Sequence, residues 1–150
     1  MGVLIKNSQD GIVIQLEKIQ KKAQAILNAL GSPDSELSVM IVDDHLISEL
    51  NLQYLNQEGP TNVIAFPMQE GDCSGINPNL VGDVVISADT AEKESKQALI
   101  DTDERIDQLL VHGILHLFGY DHENTETEAL EMEQKAVKLM DVIKHIESGG

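Results

Sequence analysis

Apolar positions along the chain change period several times, and each change marks an element. Val3–Lys6 is a short β-prone run closed by the turn formers Asn7-Ser8-Gln9-Asp10-Gly11. From Ile12 the period becomes helical. Leu16, Ile19, Ala23, Ile26 and Leu30 recur at three- and four-residue steps, and Gly31-Ser32-Pro33 stops the helix. Leu37, Val39 and Ile41 alternate as a strand. Asp43 or Asp44 then caps a second helix with Leu46, Leu50 and Leu55 on its inner side. After Pro60, the β-branched run Thr61–Phe66 reads as a third strand, and Val81–Ser87 as a fourth.

Ser87-Ala88-Asp89-Thr90 opens a polar helix reaching about Ile100. Asp101–Glu104 offers caps for the next helix, which grows more apolar up to Phe118 and ends at Gly119. Thr125 and Glu128 have the spacing of a capping box for a last helix, with Leu130, Val137, Leu139, Met140 and Ile143 facing the core. Residues 67–81 have little periodicity and many turn formers, so they read as a long loop of the kind that serves as a lid or stays mobile. Cys73 in that loop has no base or second thiol nearby in sequence and reads as an inert, exposed thiol. The resulting order, β α β α β β α α α, predicts one α/β or α+β domain over residues 1–150. Crossover helices make some strand pairs parallel.

Composition narrows the function classes. The chain has 150 residues, with 41% apolar and 24% charged, as a globular domain does. A single cysteine excludes an internal disulfide and a Cys-rich metal cluster, and fits a reducing compartment. The first residues show no basic stretch followed by a long apolar run, and no segment approaches the ~20 apolar residues of a membrane span. A cytoplasmic, non-membrane protein is expected. The net charge is −16 and opposes non-specific binding to nucleic acid. No Lys or Arg occurs between Lys22 and Lys93. The one dense basic cluster, Lys18, Lys21 and Lys22, reads as a solvated helix face or, more sharply, as a local phosphate contact.

The chemistry lies in residues 111–122. His112 and His116 stand four apart, which on a helix puts both imidazoles on one face, one turn apart, within reach of one metal ion. Their neighbours Leu109, Leu110, Ile114, Leu115 and Phe118 are apolar, so the helix is largely buried. Gly119 permits a sharp turn after which His122 returns towards the same ion. Three imidazoles with an open fourth position make a catalytic zinc arrangement, and nickel or another divalent ion has the same ligand type available. Buried neutral histidines with separate hydrogen bonds would also explain the spacing. So would a closed structural site with Asp121 or Glu123 as fourth ligand. His45 and His145 read as surface helix residues. Gly113 occupies the position of the metalloprotease glutamate, which argues against peptidase chemistry. Asp121 and Asp83 are the candidate catalytic carboxylates. Asp121 also suits a ligand-orienting role, and Asp83 a turn or cap.

The run His112-Gly113-x-x-His116-Leu117-x-Gly119-Tyr120-Asp121-His122 resembles the signature of the bacterial YbeY family of metal-dependent endoribonucleases. Pro60-Thr61-Asn62-Val63-Ile64-Ala65-Phe66-Pro67 and Leu80-Val81-Gly82-Asp83-Val84-Val85-Ile86-Ser87 resemble two further blocks of that family, in order. The resemblance runs from about Leu37 to the last helix. It implies a small mixed sheet of about four strands with about five helices, and one zinc ion on His112, His116 and His122. It also implies cleavage of single-stranded RNA in ribosomal RNA maturation and ribosome quality control, with ribosomal proteins or assembly factors as further partners. Two positions depart from the family pattern. Leu55 follows Tyr54 where the family usually has arginine, and Ala65 replaces serine. RNA contacts would then fall to Lys18, Lys21, Lys22, Lys93, Lys96 or Arg105. Two other functions fit the residues: a metal-stabilised ribosome-assembly module without chemistry, and a metal-dependent hydrolase of another substrate.

Overall fold

The computed structural model describes residues 3–67, 80–120 and 126–148. Its elements follow the predicted order: β1 (Val3–Ser8), α1 (Leu16–Ala29), β2 (Glu36–Val42), α2 (Asp44–Leu55), β3 (Val63–Pro67), β4 (Leu80–Ser87), α3 (Ala88–Ala98), α4 (Thr102–Leu117) and α5 (Glu126–Ser148). The strands form one open sheet in the order β1-β2-β4-β3. β1 pairs with β2, and β2 with β4, in parallel, while β3 runs antiparallel to β4. This is a single α+β domain, one of the two classes the pattern leaves open, with the mixed four-stranded sheet that the family resemblance implies. Cys73 and Thr125 lie outside the described residues.

Alternation along the strands divides the core in two. Val39, Ile41, Val84 and Ile86 face a large cluster built with α1, α4 and α5. Val42, Ile64 and Val85 face the other way and pack on Ile47 of α2. At the C-terminal ends of the two central strands, Ser87 Oγ accepts from Thr90 N–H at 3.2 Å and donates to Asp44 Oδ1 at 2.6 Å, tying the starts of α2 and α3 together. Asp43 caps α2 by accepting from Leu46 N–H at 2.8 Å.

Several inner faces differ from the periodic reading. α1 begins at Leu16 rather than Ile12, because the Gln9 side chain both accepts from Ile12 N–H and donates to Ile12 C=O, at 2.9 Å each, holding that backbone in a loop. Leu16 sits at the rim of α1 and Leu30 is half-buried. Lys22 lies in the core instead, 5% exposed, with Nζ 3.0 and 3.1 Å from the two Asp107 carboxylate oxygens. On α2 the buried positions are Ile47 and Asn51, Leu46 and Leu50 are half-buried, and Leu55 is exposed. Asn51 Nδ2 donates to Gly59 C=O at 3.0 Å, which accounts for a polar residue there. On α5 the buried stripe is Met132, Leu139 and Ile143, with Met140 beside it, and Leu130 and Val137 point to solvent. Leu130 and Val137 are two turns apart, so they form a stripe of their own that the other helices leave uncovered. Among the described residues, no helix is long and apolar enough to cross a membrane.

Candidate metal centre

α4 carries the two helical histidines, and its sequence determines which way they point. Ile106, Leu109, Leu110, Val111, Gly113, Ile114 and Leu115 are buried. Gly113 turns towards the sheet, where a Cβ would stand 2.7 Å from Val84 Cγ1 and 3.3 Å from Val63 Cγ2. The missing side chain therefore lets the helix backbone lie close against β3 and β4. Reading Gly113 as the place of an absent glutamate misses this role. A glycine inside a helix that gives up ~1 kcal/mol of propensity was the available signal.

His112 and His116 sit at the side of this contact, half-buried. Their rings meet edge to face, with centroids 4.5 Å apart at 76°. The two Nε2 atoms are 3.1 Å apart, a distance that suits a hydrogen bond between the rings. It also suits a shared ion. Tetrahedral zinc with bonds of ~2.0–2.1 Å sets its nitrogen ligands ~3.3–3.4 Å apart, so the pair fits two adjacent ligand positions. α4 then ends in a Schellman turn. Gly119, at φ 92°, donates to His116 C=O at 3.1 Å, and Tyr120 N–H donates to Leu115 C=O at 3.0 Å. This satisfies the last carbonyls and turns the chain sharply just before His122. His122 and Asp121 themselves lie outside the described residues, and among the described ones no group of three ligating side chains forms.

Asp83 is placed elsewhere. Val84 packs against Gly113 of α4, so by alternation its neighbour Asp83 lies on the opposite face of the sheet. There it lines a cavity with Tyr54 and Phe66, whose rings meet at 5.4 Å and 70°. The structure does not bring Asp83 and the histidine pair to one face.

The basic residues of α1 and Arg105 stand beside carboxylates, while Lys93 and Lys96 of α3 are exposed. Lys22 is buried on Asp107. Lys18 and Lys21 line a cavity of about 530 Å3 with Lys144, and Asp101, Asp103 and Glu104 line it too. Arg105 Nε and Nη2 each stand 2.9 Å from Glu94 Oε1, and its Nη1 donates to Gln108 at 2.7 Å. His45 pairs with Glu49 on the surface at 2.9 Å, and His145 stands 3.0 Å from Asp141 C=O, as surface residues would.

The profile of a family described as Endoribonuclease YbeY matches residues 4–144. The chain belongs to the YbeY family. Endoribonuclease YbeY of Syntrophotalea carbinolica is 48% identical over 141 residues, 93% of this chain and 94% of that protein. Endoribonuclease YbeY of Geobacter sulfurreducens is 47% identical over 151 residues, 100% of this chain and 99% of that protein. The solution structure of TM1509 from Thermotoga maritima superposes with a TM-score of 0.70 at 25% identity, covering 97% of this chain and 93% of that one. Against the YbeY pattern, Leu55 is the departure with the clearest placement. It is 48% exposed at the C-terminal end of α2, so an apolar side chain faces solvent there.

Proposed function

We propose that this chain is a zinc-dependent endoribonuclease of the cytoplasm that cuts single-stranded RNA during ribosomal RNA maturation and ribosome quality control. His112, His116 and His122 would hold the metal. The observation that carries the reading is the 3.1 Å approach of His112 and His116 Nε2 on a helix locked to the sheet. The names of the full-length relatives supply the substrate class. Bound zinc would lower the pKa of its water towards ~7 and stabilise charge on phosphoryl oxygens. The chain's own part is positional. Buried neighbours on α4 hold the two rings in place, and no side chain at Gly113 competes for a proton. Asp121, one residue before His122, is the carboxylate assigned to orient an imidazole or to take up a proton.

The test compares zinc-loaded wild type with His116→Ala on an end-labelled single-stranded ribosomal RNA fragment, with a chelator control and metal analysis of both proteins. Cleavage by wild type alone, abolished by chelator, is expected. Undiminished cleavage by a metal-free His116→Ala protein would end the metal-centred reading. A second reading, a metal-stabilised assembly module without chemistry, is favoured by exposed Leu55 and by the charge of −16, which suits basic ribosomal proteins. It predicts metal-bound wild type that leaves the fragment intact yet retains ribosomal proteins in a pull-down at moderate and high salt.

A further inference from the structure

Among the described residues, the sheet face away from α4 is covered over one half, by α2. α2 packs over Val42, Ile64 and Val85 through Ile47. The next row across the strands is Leu4, Ser38, Asp83 and Phe66, successive register partners on β1, β2, β4 and β3. Between this row and α2 opens a cavity of about 380 Å3, lined by Ser38, Met40, Tyr54, Phe66, Asp83 and Val85 among others. That volume lies within the ~300–1,000 Å3 range of small-molecule sites.

Two polar groups stand in it. Ser38 and Asp83 are side by side on the two inner strands, and neither has a hydrogen-bond or ion-pair partner among the described residues. β2, α2, β3 and β4, which wall the cavity, contain no Lys or Arg; the nearest cation on this face of the sheet is Lys6 of β1, which pairs in register with Met40, two strands and one row away from Asp83. Above them, Tyr54 (60% exposed) and Phe66 offer aromatic surface.

We propose that this cavity reads a guanine base of single-stranded RNA. A carboxylate only accepts hydrogen bonds, and a serine hydroxyl can donate one. Guanine presents two adjacent donors, N1–H and the 2-amino group, followed by the O6 acceptor. Asp83 would take both donors, and Ser38 would donate to O6. Adenine, cytosine and uracil do not present two adjacent donors. An arginine side chain could satisfy Asp83, but it has no acceptor for the Ser38 hydroxyl. Tyr54 would stack on the base, as aromatic side chains do in single-strand recognition. With Lys6 at the edge strand the nearest cation on this face among the described residues, recognition would come mainly from the base edge rather than from phosphate, so binding should depend weakly on salt. The inference deepens the ribonuclease reading, on which it rests for the polymer that carries the base. It makes Asp83 a specificity residue on the face opposite the histidines.

The experiment measures binding separately from cleavage. Labelled oligouridylates of five residues, carrying one central guanosine, inosine or adenosine, are titrated by fluorescence anisotropy in the presence of chelator. Wild type should bind the guanosine probe about tenfold or more tighter than the adenosine probe, with inosine between them because it lacks the 2-amino donor. Asp83→Asn, nearly the same shape, should erase the guanosine–adenosine difference while its melting temperature stays near wild type. Tyr54→Ala should weaken all three probes about tenfold. Equal affinities for guanosine and adenosine in wild type, alongside intact RNA cleavage, would overturn the pocket and leave the ribonuclease standing. Guanosine preference without cleavage under any metal would support the pocket and remove the enzyme reading. Displacement of the probes by an arginine-rich peptide, with no base preference, would make the cavity a protein-docking site and overturn the inference.

Discussion

Replacing Gly113 by alanine sets two effects of similar size against each other. In an open helical site, alanine is better than glycine by ~0.8–1.0 kcal/mol. At Gly113 the added methyl would stand 2.7 Å from Val84 Cγ1, 3.2 Å from Val84 Cγ2 and 3.3 Å from Val63 Cγ2. Carbon pairs settle at ~3.5–4.0 Å, so the closest approach is short by ~0.8 Å or more. Val84 is fully buried on an inner strand, and its branched side chain has little rotamer freedom with which to yield. Overpacking of this kind costs ~1–3 kcal/mol, which leaves a net loss of up to ~2 kcal/mol after the propensity gain. For a chain of this size that lowers Tm by up to ~4–8 °C. The assay is thermal unfolding of wild type, Gly113→Ala, Val84→Ala and the double variant. Val84→Ala removes the two closest carbons and leaves only Val63 Cγ2 at 3.3 Å, so in that background Gly113→Ala should become neutral or stabilising, with a coupling of ~1 kcal/mol or more. A rise in Tm of ~2–4 °C on Gly113→Ala in the wild-type background, as propensity alone would give, would refute the close-packing argument.

Three further outcomes are expected. Asp107→Ala should destabilise by ~3–5 kcal/mol in denaturant titration, because it strips the buried Lys22 ammonium of its carboxylate, while the Lys22→Met/Asp107→Leu double variant should recover most of that loss. Asp43→Ala should cost ~1 kcal/mol through loss of the α2 cap, and Asp43→Asn much less, again by denaturant titration. On α5, Leu139→Ala should cost ~2–5 kcal/mol, whereas Val137→Glu should stay within ~0.5 kcal/mol; equal effects would mean the helix presents a different face.

The histidine pair was legible because it depends on local geometry alone. Residues four apart on a helix share a face whatever surrounds them, and the apolar neighbours of His112 and His116 already implied a buried helix. The glycine-ended turn after Phe118 was legible for the same reason. The position of Asp83 was not. Alternation says that Asp83 and Val84 face opposite ways, but which face meets α4 depends on where that helix packs. Lys22 was misread for a related reason. A lysine on an amphipathic helix normally faces water, and its burial here goes with a carboxylate 85 positions later that α4 brings alongside.

By itself, the sequence determined the order of the strands and helices, a single domain of the α/β or α+β class, the helical histidine pair and the lack of basic residues between Lys22 and Lys93. Each of these follows from local periodicity, turn chemistry or composition, which act over a few residues. Tertiary structure alone decided the strand order β1-β2-β4-β3, the close contact at Gly113, the Lys22–Asp107 pair and the cavity that joins Ser38, Tyr54, Phe66 and Asp83. These depend on which distant segments meet, and that is settled by how the apolar faces of all the elements are buried together.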